Sequence, residues 1–520
     1  MKFARASGVM AHPTSLPGRH GIGDIGEEAF RFVDWLALAR QRLWQVMPLG
    51  PTGYGNSPYA SPSAFAGNPL LISLPWLAVD GLLLGEHLEH HPSFPEHEVD
   101  FGLVESFKMD LLHRAFNRFR SGAATALRPA FQAFCEAEAE WLDDYALFMA
   151  LRDAHGRSVW TDWPEDIRDR SPAAMDDWRR HLSAEIRFHQ FTQFQFRRQW
   201  SELRRYANQR DIKIIGDIPI FVAHDSVDVW AHREWFRLDD HGAPTVVAGV
   251  PPDAFTALGQ RWGNPHYDWK AIGASGYAWW MARVRSVLSL VDIIRIDHFR
   301  GFAASWVVPA GDESAAGGRW ERGPGESIFR TFRDGLGDSP FIVEDLGLIT
   351  PDVNLLRNQL GLPGMKVLQF AFGSGPENAY LPHNYDANCA VYSGTHDNQT
   401  TIGWFYTRDE RERQDVQRYI GSDGSDIAWD FIRLALASVA DLAIVTLQDI
   451  MRLGDEARMN TPGRVFGNWG WRFLSHQLHP GLAAGLGELT TMYGRWEIRA
   501  DGGHDPFDYS VPGTDHPLFG

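Results

Sequence analysis

The chain has 520 residues, a formal net charge of −17 and a pI near 5.6. That balance argues against a nucleic-acid partner, which needs a basic face, and fits a neutral substrate. Cys135 and Cys389 stand far apart with no Cys-x-x-Cys, so neither a disulfide framework nor a zinc site is indicated. No apolar run approaches a membrane span. The first twelve residues lack the apolar core of a secretion signal. The expectation is a cytoplasmic protein with no membrane partner. The length exceeds a bare barrel of about 250 residues and calls for insertions or a satellite domain.

In chain order, short apolar runs fall at 8–11, 43–47, 213–218, 292–296, 341–343, 366–370, 390–392 and 442–446. Most are followed by Gly, Pro, His or Asp. Such runs read as strands buried on both faces of a parallel sheet. Helical periodicity occupies 25–39, 277–290 and 426–440, each ahead of the next strand. This alternation, with eight strands, predicts an α/β chain closed into a (β/α)8 TIM barrel. Large inserted helical subdomains and loops are expected at its carboxyl rim. The whole chain, 1–520, is read as one catalytic barrel. Residues 49–211 are read as a mostly helical insertion between strands two and three, with amphipathic patterns at 130–152 and 181–207. Residues 219–290 are read as a loop and helix region between strands three and four. Its Gly- and Pro-rich part, 249–265, is a candidate lid.

Three strand ends carry acids: Arg295-Ile-Asp297-His298, Val343-Glu344-Asp345 and Gly394-Thr-His396-Asp397. The carboxyl ends of parallel strands are where a barrel keeps its chemistry. Three acids at one mouth point to glycosyl transfer through an oxocarbenium-like transition state. Retention at the anomeric carbon needs one carboxylate that attacks and one carboxylic acid that protonates the leaving oxygen. Arg295 lies two residues before Asp297, so both face the same side of a strand. A guanidinium there holds Asp297 as the positioned anion a nucleophile requires. Glu344 must instead keep a proton, which an anionic neighbour favours. Asp345 points the other way on a continuing strand and is read as structural. Asp397, beside His396, can bind sugar hydroxyls. His298 and His396 can serve the site or be satisfied core imidazoles. Aromatic residues sit beside Gly, Pro and Asn at Tyr54, Trp262, Trp469 and Trp471. Such rings form sugar platforms or anchor loops, and both readings stand. Asp239-Asp240 reads as solvated surface, so no metal site is expected.

Several segments together resemble the amylomaltases, the 4-α-glucanotransferases of the α-amylase clan. They are Ser7-Gly-Val-Met-Ala-His-Pro-Thr-Ser-Leu-Pro-Gly18, Ser57-Pro-Tyr59, Gly216-Asp-Ile-Pro-Ile-Phe-Val222, Arg295-Ile-Asp-His-Phe-Arg-Gly301, Glu344-Asp-Leu-Gly347, Gly394-Thr-His-Asp-Asn398 and Asn460-Thr-Pro-Gly463. The resemblance runs in order over nearly the whole chain. It implies a (β/α)8 barrel that transfers α-1,4-glucan segments between maltooligosaccharides, releasing glucose, without a cofactor. It implies Asp297 as nucleophile, Glu344 as general acid/base and Asp397 as transition-state stabiliser. Tyr59, Asp217, Gln260, Trp262, Arg295, His298, His396 and Asn468 become the expected substrate contacts. Starch- or glycogen-derived glucans are the expected donors and acceptors, and the chain is expected as a monomer or homodimer. The alternatives are a glucan hydrolase of the same clan and a non-catalytic maltodextrin-binding protein. Two departures stand out. Gln399 occupies a place where the family more often has an acid. The third-strand segment lacks the His that ordinary α-amylases carry, which favours the transferase branch.

Overall fold

The computed structural model describes residues 3–252, 257–338 and 340–496. Its twelve strands are β1 (Ala6–Met10), β2 (Leu43–Gln45), β3 (Lys213–Ile218), β4 (Val246–Val250), β5 (Gln260–Pro265), β6 (Ile293–Ile296), β7 (Ala304–Pro309), β8 (Arg319–Arg322), β9 (Phe341–Val343), β10 (Gly364–Val367), β11 (Cys389–Tyr392) and β12 (Leu442–Thr446). Eight of them close a parallel barrel in the order β1-β12-β11-β10-β9-β6-β3-β2. The seam is the pairing of β1 with both β12 and β2, from Ala6 opposite Leu442 to Met10 opposite Gln45. All eight apolar runs form barrel strands. The sixth is displaced: β10 starts at Gly364, and residues Leu368–Phe370 turn into a 3-10 helix.

Alternation along each strand sorts its side chains. Met10, Leu43, Ile215, Ile293, Ile342 and Tyr392 belong to the compact cluster inside the barrel. Their neighbours Val9, Trp44, Ile214, Ile294 and Val343 join the larger core between strands and outer helices. At Gly8 the packing is so close that a Cβ would meet Leu43 at 2.4 Å. Trp44, fully buried, donates its indole N–H to the Ala11 carbonyl.

The segment between β2 and β3 is helical, as expected, and holds Phe101–Arg120, Arg128–Ala137, Ala139–Ala154, Pro172–His181 and Ser183–Gln209. The last of these is not wholly an insertion. Its 27 residues extend about 40 Å, pack on β3 and serve as the barrel's own helix before that strand. Two glutamines on it brace the site-side loop: Gln193 exchanges two hydrogen bonds with the Gly67 backbone, and Gln199 does the same with Ser73. Lys108, fully buried on the helix Phe101–Arg120, lies 3.5 Å from Asp24 in the loop after β1. That pair ties the insertion to the barrel.

The region after β3 holds loops and helices, among them Trp269–Ala274 and Ala278–Leu290, and also contributes β4 and β5 to a second sheet. β4, β5, β7 and β8 form a four-stranded antiparallel sheet in the order β5-β4-β7-β8. The candidate lid is therefore the β4–β5 hairpin, with residues 253–256 outside the described ones. The edge strands β5 and β8 are largely exposed, so they lack the continuous apolar signature of the barrel. Asp239 accepts hydrogen bonds from the His241 and Ala243 backbone, capping a turn. Among the described residues no helix is long and apolar enough to cross a membrane.

Candidate active site

The inward rows of the barrel carry the acids at the carboxyl ends of the strands and just beyond them. Ile215 is followed by Asp217, Ile293 by Arg295 and Asp297, and Ile342 by Glu344, each at a spacing of two. Asp345 belongs to the outward row, as expected. It pairs with Arg357 and accepts the Met365 N–H at 2.7 Å.

Arg295 is the hub. Its buried guanidinium lies 2.5 Å from Asp217 Oδ2, 3.0 Å from Asp297 Oδ1 and 3.6 Å from Glu344 Oε2. Burial lowers the Arg295 pKa, but Asp217 and Asp297, ahead of Tyr59 and Glu344, raise it well above its ordinary value, so it stays charged. The Tyr59 hydroxyl donates to Asp217 Oδ2 at 2.8 Å. Burial pushes the Asp217 carboxyl up to about 6, against the opposing pull of Arg295. Burial, then the charge of Asp297, pushes Glu344 up to about 8, against Arg295 and the His298 N–H. Glu344 therefore holds a proton at neutral pH, the state a general acid needs.

His298 takes φ = 49°, in the left-handed region that few non-glycine residues adopt. The turn aims its backbone N–H at Glu344 Oε2, 2.5 Å away. Its imidazole, held neutral by burial with a pKa near 4, packs edge-on against Trp262 at 4.8 Å. Trp262 donates its indole N–H to Gln260 Oε1 at 3.1 Å. The hairpin thus reaches the end of β6 through these two rings.

On the opposite side Tyr59 stacks on His396 with ring centroids 5.1 Å apart, and Trp469 packs against both. His396 Nε2 is 3.4 Å from Asp397 Oδ1. Asn460 donates to the same oxygen at 2.6 Å, and Arg458 donates to the Asp397 carbonyl at 2.8 Å. Asn468 lies one step out. Its amide bonds Thr461 N and the Arg464 carbonyl and so holds the 460–469 loop.

The geometry gathers Tyr59, Asp217, Arg295, Asp297, His298 and Glu344 in one connected network, with His396 and Asp397 joined through Tyr59. Arg458 and Asn460 had no assigned role in the sequence reading. Asn460 opens one of the resemblance segments, and that was its only signal. His12 was also missed. It follows Met10 in the inward row, is buried, and its Nδ1 has no partner. Burial, with the nearby His396, lowers its pKa to about 3.

A family model described as 4-alpha-glucanotransferase matches residues 11–477, most of the chain and the whole site. The chain belongs to this family. Two curated 4-alpha-glucanotransferases, from Synechocystis sp. and Thermus thermophilus, are each 50% identical to it, over 94% of this chain and 98% of theirs. The amylomaltase from Streptococcus agalactiae, solved in complex with acarbose, superposes with a TM-score of 0.92 at 37% identity, covering 95% of this chain and all of that one. The expected (β/α)8 barrel and the 4-α-glucanotransferase assignment both hold. The family model and these relatives make the chain a 4-α-glucanotransferase.

Proposed function

We propose that the enzyme moves α-1,4-glucan segments between maltooligosaccharides by double displacement, with a covalent glucosyl intermediate on Asp297. Glu344 protonates the leaving oxygen, and the released sugar departs from the acceptor side. With short donors that sugar is glucose. Glu344, now an anion, then takes the proton of an acceptor 4-hydroxyl, which attacks the anomeric carbon and frees Asp297. Asp397 binds ring hydroxyls and gains strength as positive charge grows on the sugar. Arg295 balances the charge of Asp297 and Asp217 throughout. Tyr59, Asp217, Gln260, Trp262, His298 and His396 contact the glucan, and Asn468 shapes the loop beside it.

One observation carries this reading: Asp297 and Glu344 flank a single guanidinium, at 3.0 Å and 3.6 Å. The acarbose bound by the similar amylomaltase supports a glucan-shaped ligand. Transfer outruns hydrolysis because the β4–β5 hairpin, with Trp262 against His298, leaves water poorly placed while sugar binds the acceptor side. The test is incubation with maltotriose alone. Glucose plus a ladder of longer maltooligosaccharides, at constant total reducing ends, is expected. Rising reducing ends would make the protein a hydrolase, and no turnover would leave only glucan binding.

A further inference from the structure

Asp397 is not oriented by its own strand end alone. Its carboxylate takes the Asn460 amide and its carbonyl takes Arg458. The Asn460 N–H also donates to the His396 carbonyl at 3.0 Å. Asn460 and Arg458 come from the segment after β12, remote in sequence from the 394–400 turn. What fixes that segment to the turn is Asp455. Its Oδ2 accepts the Gln399 side-chain amide at 2.6 Å, and its Oδ1 accepts the Thr400 N–H at 3.2 Å. Gly403 makes the approach possible, since a Cβ there would stand 2.0 Å from Asp455 Oδ1. Gln399 is itself held: its Oε1 accepts the Thr407 hydroxyl at 3.3 Å, and its carbonyl accepts the Gln369 amide at 2.9 Å. Arg458 feels the charge of both Asp455 and Asp397.

We propose that Gln399 and Asp455 form a polarity-matched clamp that positions Asn460 and Arg458 on Asp397. They are positioning residues for glucan transfer and touch no substrate. The inference rests on the reading of Asp397 as the transition-state stabiliser. The clamp needs a donor on one side and an acceptor on the other. An amide facing a carboxylate meets this need, and so do two amides. Two carboxylates do not, because neither can donate and their charges repel. A loosened clamp lets Asn460 drift from Asp397, and the loss falls on a group that gains strength only in the transition state. Such a loss appears in kcat rather than KM.

The test compares Asp455→Ala, Asp455→Asn, Gln399→Glu and the double variant Gln399→Glu/Asp455→Asn with the parent. Maltotriose disproportionation gives kcat and KM, and thermal melting reports the fold. Losing one charge-assisted bond at this half-exposed site predicts kcat lower by about fivefold in Asp455→Ala and in Gln399→Glu, with KM and melting near the parent's. Asp455→Asn keeps the acceptor and stays within about twofold of the parent, and the double variant recovers to the same level. The clamp is refuted if Gln399→Glu matches the parent, if the double variant is no better than Gln399→Glu, or if the loss sits in KM. A parent inactive on maltotriose would instead bring down the reading of the site.

Discussion

The protonation of Glu344 depends on the charge of Asp297, and that dependence can be measured. The perturbation is Asp297→Asn, which removes the attacking charge with little change of volume. Arg295 reaches 3.0 Å to Asp297 and 3.6 Å to Glu344. One planar guanidinium spans both contacts, so the facing oxygens lie within about 9 Å of each other. At an effective dielectric of about 20, two unit charges at that separation repel by roughly 2 kcal/mol, more than one pH unit in a titration midpoint. In the parent, Glu344 titrates at about 8. The charged form of a carboxyl is disfavoured by a neighbouring anion, so removing Asp297's charge lowers the midpoint by at least about one unit. Infrared or carbon-13 titration reads it directly, with Glu344→Gln in the same background as the blank. The parent's kcat/KM should fall as pH rises through about 8, because the acid form of Glu344 is lost there. Asp297→Asn should lose transfer while keeping its melting temperature. A Glu344 midpoint unmoved by the substitution would refute the electrostatic reasoning, and near-parent activity would remove Asp297 from the chemistry.

Three further outcomes are expected, two from the site and one from the fold around it. Shortening the tip of the β4–β5 hairpin should raise the ratio of hydrolysis to transfer, read as reducing ends gained per glucose released; an unchanged ratio would show that the hairpin does not exclude water. Glu344 has a folded pKa raised above its unfolded value, so the stability it confers is full below the ordinary carboxylate range and is lost as pH rises to about 8. Glu344→Gln escapes that loss and should be more stable than the parent at pH 9, by up to a few kcal/mol, with the gap closing towards pH 5; a gap independent of pH contradicts the assignment. Asp24→Ala leaves Lys108 buried without its anion and should cost about 3–5 kcal/mol, while adding Lys108→Met should recover much of it. Equal melting of parent and Asp24→Ala would show that the pair does not tie the insertion to the barrel.

What the sequence makes legible follows burial. Ile293, Ile294 and Ile296 are covered on both faces, so β6 reads as an apolar run broken only by Arg295, and β1 and β12 are likewise buried throughout. The spacing of two that links Ile293, Arg295 and Asp297 also placed the guanidinium beside the acid, as the structure has it. The rim sheet was not legible, since Gln260–Pro265 and Arg319–Arg322 are largely exposed and carry charged, Gly and Pro residues among their aromatics. Val246–Val250 is apolar, but it lies in a Gly- and Pro-rich stretch, and its antiparallel pairing with Ala304–Pro309 is a contact that no local pattern encodes. The partners of Asp397 escaped for a different reason. Arg458 and Asn460 meet it across more than sixty residues of chain, and no local periodicity encodes a contact between two loops. Asn468 braces its own loop through both ends of its amide, a contact that residue type alone cannot reveal.

The most direct test of the account is to trap the intermediate. Glu344→Gln, given an α-maltosyl fluoride whose leaving group needs no acid, should form the ester and be slow to release it. Proteolysis and mass spectrometry should then find the maltosyl group on the peptide carrying Asp297, and no such adduct in Asp297→Asn. An adduct on another residue, or turnover of the fluoride with inversion and no adduct, would contradict the assignment of Asp297 as the nucleophile.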